Sequence, residues 1–124
     1  MNIQVSICDG PVDPAHNPTA DGSGSSLTFL GIVRPLEDGR PITGLLYEAY
    51  EPMAERVLED LCRQASQKFA VLALRLVHSR GLVPVGRPSL FVSIEAEHRA
   101  AALEAMTWVI DALKKDVPIW KRPA

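Results

Sequence analysis

No apolar run in this chain approaches the ~20 residues a helix needs to cross a bilayer, although 47% of its 124 residues are hydrophobic. The start, Met1-Asn2-Ile3-Gln4-Val5, lacks a basic stretch followed by an apolar one. It therefore does not read as a signal peptide, and a cytoplasmic location without membrane attachment is expected. A large charge of one sign is missing too. Thirteen Lys and Arg stand against fifteen Asp and Glu, a net charge of −2, which excludes general nucleic-acid binding. The two cysteines, Cys8 and Cys62, form no CxxC pair, and no His/Cys/Asp grouping has zinc-ligand spacing. No metal site is expected. Cys62 falls on an apolar helical stripe and reads as a packed thiol.

The chain has the length and apolar content for one domain with a core, and residues 1–124 read as that single domain. Ile3 to Cys8 alternates like a strand. Asp9 to Ser26 carries Pro11, Pro14, Pro18, Gly22 and Gly24 and reads as a long loop. Leu27 to Arg34 and Leu45 to Tyr50 read as two strands of a hairpin, with a turn at Asp38-Gly39 and a hint of a bulge at Gly31. Met53, Val57, Leu58, Leu61, Cys62 and Ala65 recur at helical spacing after Pro52, which predicts a helix over 52–68. Val71 to His78 and Ser89 to Ala96 are further strands. The segment with Gly81 and 84–88 connects them. Ala102, Met106, Val109, Ile110 and Leu113 make the inner stripe of a last helix, 99–115, which Pro118 stops. The order β-ββαββα predicts a two-layer α+β domain, with a mostly antiparallel sheet and two main helices packed on one face.

The cations around that last helix carry the chemistry. His98-Arg99 open it, where free backbone N–H groups and the positive end of the dipole suit a phosphate. Lys114-Lys115 close it. Val117-Pro118-Ile119-Trp120-Lys121 follow as a rigid turn that would position an amine, with Trp120 expected to pack. Taken singly, each has a plainer reading: a solvated helix start, lysines offsetting the negative helix end, an edge-strand charge at Arg34. His78 reads as a structural histidine.

Five segments together resemble one family. They are Gly24-Ser25 with Phe29, Gly31, Val33 and Arg34; Leu46-Tyr47-Glu48-Ala49-Tyr50 with Met53-Ala54; and His78 with Gly81 and Gly86. The last two are His98-Arg99-Ala100-Ala101-Ala102, and Asp111-Ala112-Leu113-Lys114 with Val117-Pro118-Ile119-Trp120-Lys121. In that order they are similar to the large, catalytic subunit of molybdopterin synthase. The resemblance implies that family's α/β hammerhead-type fold. It implies a sulfurtransferase that moves sulfur from the C-terminal thiocarboxylate of a ubiquitin-like carrier subunit onto a cyclic pyranopterin monophosphate, forming the molybdopterin dithiolene. It implies a homodimer with one carrier docked on each protomer, a heterotetramer, and no metal or cofactor.

Negative charge would develop at an acyl oxygen, at sulfur and at phosphate, so fixed cations are the simplest catalyst. Lys114 is the first choice at the acyl and sulfur centre, and Lys121 the second. Arg34 suits a bidentate phosphate or carboxylate contact. His98 and Arg99 form the phosphate cradle, and Phe29 gives the pterin an apolar wall. His98 and Lys114 are 16 positions apart on one helix, about 24 Å. If both serve one site, it must be shared across a dimer. A second reading is a non-catalytic paralogue that binds carrier protein or pterin phosphate. Ser79, Arg87 and the Arg122-Pro123-Ala124 ending, which depart from the family pattern, motivate it.

Overall fold

Alternation of side chains along the first strand puts Ile3, Val5 and Ile7 on one side of a sheet, where two amphipathic helices cover them. The computed structural model describes residues 2–14 and 20–124. The long loop expected over 9–26 is described in part, and its residues 15–19 lie outside that range. The elements are β1 (Asn2–Asp9), β2 (Ser25–Ile32), β3 (Leu36–Glu37), β4 (Arg40–Pro41), β5 (Gly44–Ala49), α1 (Met53–Lys68), β6 (Ala73–Pro84), β7 (Pro88–Ala96), α2 (Arg99–Asp116) and β8 (Ile119–Pro123).

The main sheet runs β2-β7-β6-β5-β8, with β1 beside β6. One pairing is parallel, β1 with β6; the others are antiparallel. The expected α+β class therefore holds. Strand β6 does two jobs along one flank: Ala73 to Arg80 pairs with β1, and Gly81 to Pro84 pairs with β5. The hand-over falls at Gly81, whose φ of +81° is a left-handed conformation that glycine adopts without a Cβ penalty. The strand continues through the stretch that the sequence reads as a connection.

The hairpin expected over 27–50 is not formed as a pair. Its two strands, β2 and β5, are separated in the sheet by β7 and β6. The chain does turn at Asp38-Gly39, both with positive φ, but only the short β3–β4 ladder closes there. Period-two alternation states which side chains face the core, and it is silent on which strand lies alongside. The structure also adds β3, β4 and β8 to the expected order.

Helix α1 buries Ala54, Leu58, Leu61, Cys62 and Ala65, while α2 buries Ala102, Ala105, Val109 and Leu113. Met106 and Ile110, expected on the inner stripe, are only half-buried, and Ala105 takes the inner position. Both helices pack on the face that presents Leu74, Leu76, Val92 and Ile94. The Cys62 thiol sits in this core, and burial pushes its pKa up to about 12, an inert packed thiol as expected. A second, smaller cluster of Val33, Leu45 and Val83 lies at the far end of β5 and β6. It anchors the chain where β2 ends: the Val33 N–H donates to Arg87 O, and the Gly86 N–H donates to Val33 O.

A candidate anion-binding cleft at the end of the second helix

Four elements end at one place. Helix α2 stops at Asp116 because Pro118 cannot continue it, and Val117 caps it with its N–H on Leu113 O. The chain then enters β8, antiparallel to β5, with Lys121 opposite Tyr47 and Trp120 opposite Glu48. The segment after the helix is thus an edge strand rather than an isolated turn. Alternation along it sends Ile119 and Lys121 to one side and Trp120 to the other. Trp120 is 61% exposed, against the packing expected of it.

Strand β2 supplies the facing wall. Its register slips between Gly31 and Ile32, the bulge that Gly31 suggested. A Cβ on Gly31 would meet Leu90 Cβ of β7 at 3.3 Å and the Phe29 ring at 3.5 Å, so a side chain there would press on the neighbouring strand and touch the Phe29 ring. Beyond the bulge, Val33 is held by the small core and Arg34 projects outward.

These elements enclose a cleft of about 550 Å³, within the range of small-molecule sites. Phe29, Leu90, Leu113, Val117 and Ile119 give it apolar walls, and Arg34, Lys114 and Lys121 give it cations. Among the described residues, Arg34 and Lys114 have no ion-pair partner. Lys121 Nζ lies 3.6 Å from Glu37 Oε1 across the mouth. The floor is polar and buried. The Tyr47 hydroxyl donates to Ser89 Oγ at 3.0 Å, and Ser89 Oγ donates to the Gly31 carbonyl at 3.4 Å. The Tyr47 and His78 rings meet edge-on, with centroids 5.3 Å apart. His78 is 6% exposed, and its Nδ1 lies 2.7 Å from the Ser79 carbonyl oxygen. Burial lowers its pKa below the ordinary 6.5, and the bond to Ser79 O opposes this in part.

Of the six residues singled out from the sequence, the cleft gathers four: Phe29, Arg34, Lys114 and Lys121. His98 and Arg99 stand at the opposite end of α2, outside it. His98 occupies the N-cap without a side-chain capping bond, and its side chain is 82% exposed, 3.7 Å from Glu97 Oε1. Tyr47, Ser89 and Glu37 were not singled out. Tyr47 carried a signal, since alternation in β5 puts it on the same side as Leu45. Ser89 and Glu37 carried none, because a serine in a strand and an acid beside a turn are ordinary surface choices.

Fold and cleft together define the class: a two-layer α+β protein with an aromatic-walled, cation-rimmed pocket of small-molecule size. The MoaE protein family matches residues 7–116, and this chain belongs to that family. It is 39% identical over 125 residues to the molybdopterin synthase catalytic subunit of Thermoplasma volcanium, covering 98% of this chain and 91% of the relative. It is 41% identical over 99 residues to the Homo sapiens molybdopterin synthase catalytic subunit, covering 80% of this chain and 53% of that one, so it spans about half the human protein's length. Among solved structures it is similar to molybdopterin synthase from Staphylococcus aureus, with a TM-score of 0.82 at 26% identity, covering 93% of this chain and 88% of the other. It is also similar to a chain in a complex of subunits 1 and 2 of molybdopterin-converting factor from Helicobacter pylori, with a TM-score of 0.76 at 27% identity, covering 96% and 83%.

Proposed function

We propose that the cleft at the C-terminal end of α2 is the sulfur-transfer site of a molybdopterin synthase catalytic subunit. The chain is a sulfur-transferring enzyme of molybdenum cofactor biosynthesis by family and by near full-length likeness to a named catalytic subunit. In this reading residues 1–124 act as one domain in the cytoplasm, and no metal ion or organic cofactor takes part. No helix among the described residues is long and apolar enough to cross a membrane. A small-subunit partner is supported by the Helicobacter pylori complex. The finer arrangement, a homodimer with a ubiquitin-like carrier on each protomer, is part of the proposal.

The observation that carries this reading is the pair of unmatched cations, Arg34 and Lys114, over an apolar wall. Both are solvent-exposed in the free protein; a substrate that docks on the apolar wall beside them displaces that water, and the attraction strengthens as it does. The carrier's acyl oxygen and sulfur both gain negative charge as sulfur moves, and Lys114 supplies a fixed opposite charge there. Lys121 is a second ammonium, held by the β8–β5 ladder and free to exchange its long contact with Glu37 for a substrate anion. Arg34 takes the phosphate or the carrier carboxylate in a fork. Phe29 stacks the pterin.

His98 and Arg99 enter this site only from a second protomer. In one chain they are a helix length away, about 24 Å. The test is direct. Purified chain, thiocarboxylated carrier and cyclic pyranopterin monophosphate should yield the dithiolene. The reading is abandoned if no dithiolene forms under conditions where a standard homologue makes it. Carrier binding without conversion would instead favour the non-catalytic module.

A further inference from the structure

The cleft holds a titratable side chain to which the roles above give no work. His78 sits in β6 between Ile7 of β1 and Leu90 of β7, both apolar. Its Nδ1 is 2.7 Å from a carbonyl oxygen, which can only accept, so Nδ1 carries the hydrogen. In the neutral ring the lone pair is then on Nε2. Nε2 has no hydrogen-bond partner among the described residues and is not sealed from solvent, and the ring lines the cleft. The ring cannot turn freely, because Tyr47 lies edge-on against it and the Tyr47 hydroxyl is engaged by Ser89. The charged groups around the cleft are Arg34 after β2, Glu37 on β3, Lys114 on α2 and Lys121 on β8. A fixed, neutral imidazole with an open lone pair beside cations is a proton acceptor in position.

The sulfur-transfer reading, on which this inference rests, requires such a group. When the carrier's sulfur bonds to the pterin carbon, the carrier acyl group remains joined through that sulfur as a thioester. The carrier is freed only when water adds to the acyl carbon. We propose that His78 Nε2 takes the proton from that water. The C–O bond forms, the C–S bond breaks, and sulfur leaves on the pterin with its electron pair as a thiolate. His78 becomes an imidazolium and later returns its proton to solvent. The carrier carboxylic acid loses its second proton to water, and nothing is oxidised or reduced. Lys114 steadies the acyl oxygen during the addition. The burial that lowers the His78 pKa keeps the ring neutral, and so ready to accept, at neutral pH.

The experiment is a single turnover of the whole complex with thiocarboxylated carrier and cyclic pyranopterin monophosphate, followed by intact mass, for wild type and His78→Gln. The variant should form the carrier–pterin thioester at the wild-type rate and hydrolyse it about 100-fold more slowly. Wild-type hydrolysis should fall along an acid limb that lies below the ordinary histidine value of 6.5, because burial lowers the His78 pKa, and that limb should vanish in the variant. Hydrolysis at the wild-type rate, an unchanged limb, or formation and hydrolysis falling together would overturn the role. Should the variant fail to fold, imidazole ¹⁵N shifts of the wild-type protein decide: an Nε2–H tautomer defeats the proposal and an Nδ1–H tautomer supports it. The two readings fail differently. Wild-type protein that makes no thioester at all removes the sulfur-transfer site itself, and a normal His78→Gln enzyme removes only the histidine's role.

Discussion

The two ends of α2 carry the same kind of residue and do different things with it. At its start, His98 and Arg99 stand exposed to solvent, with His98 Nε2 3.7 Å from Glu97 Oε1. At its finish, Lys114 lines a cleft with the apolar Phe29, Leu90 and Leu113 and with the cations Arg34 and Lys121. A cation in water interacts weakly with a passing anion, and one beside apolar walls interacts strongly. Residue type and helix position are nearly symmetrical between the two ends. The difference is made by strands β2, β5 and β8, which close around one end and leave the other bare.

The largest expected effect tests the finishing end. Lys114→Ala should lower dithiolene formation by about 10³-fold, the scale of losing one fixed charge at a developing anion, with dimerisation unchanged by analytical ultracentrifugation. A fully active variant would erase the contrast between the ends. The starting end is tested next, and through its partner. His98→Ala should lower turnover by about 100-fold if it bonds the phosphate in the partner's cleft. Mixing inactive Lys114→Ala and His98→Ala protomers should then restore activity, because one of the two shared sites in a mixed dimer is intact. Absence of any restoration would assign each site to a single chain.

The middle of the helix supplies the control. Val109 is fully buried between the ends. Val109→Ala should cost about 2 kcal/mol in chemical denaturation, from lost methyl burial and the space left behind, while turnover at a permissive temperature stays near wild type. The smallest effect concerns His78. Its folded pKa is lowered, so between the ordinary 6.5 and the lower folded value the unfolded chain binds a proton that the folded chain does not. Stability from this group is therefore present above pH 6.5 and is lost as pH falls through the folded pKa. The slope is at most about 1.4 kcal/mol per pH unit. Denaturation of wild type and His78→Gln between pH 7 and pH 5 measures it as the difference between their slopes.

Much of this was legible in the residues. Both helices lie where periodicity put them, since a 3.6-residue repeat of Leu58, Leu61, Cys62 and Ala65 has one way to bury itself. The strands containing Ile3, Leu27, Leu46 and Val92 were legible too. Their neighbours were not. The expected pairing of 27–34 with 45–50 followed from sequence proximity and a turn signal, and two intervening strands displaced it. Trp120 was read as packed because tryptophan is large and apolar, yet its phase in β8 turns it outward and Lys121 inward. His78 was read as structural, and its burial agrees. What spacing could not show was that one ring nitrogen is tied to a carbonyl and that the ring lines a cleft.

The amino-acid sequence by itself determined the two helices and the five longer strands, most of their apolar faces, the scarcity of usable cysteine chemistry and the set of cations worth considering. All of these depend on neighbours within a few positions along the chain, where the geometry of helix and strand is fixed. The tertiary structure alone decided which cations meet. Arg34, His78, Lys114 and Lys121 lie up to 87 positions apart, and their convergence is set by strand pairing across the sheet. That pairing is a competition among long-range contacts whose energies no local stretch of sequence contains.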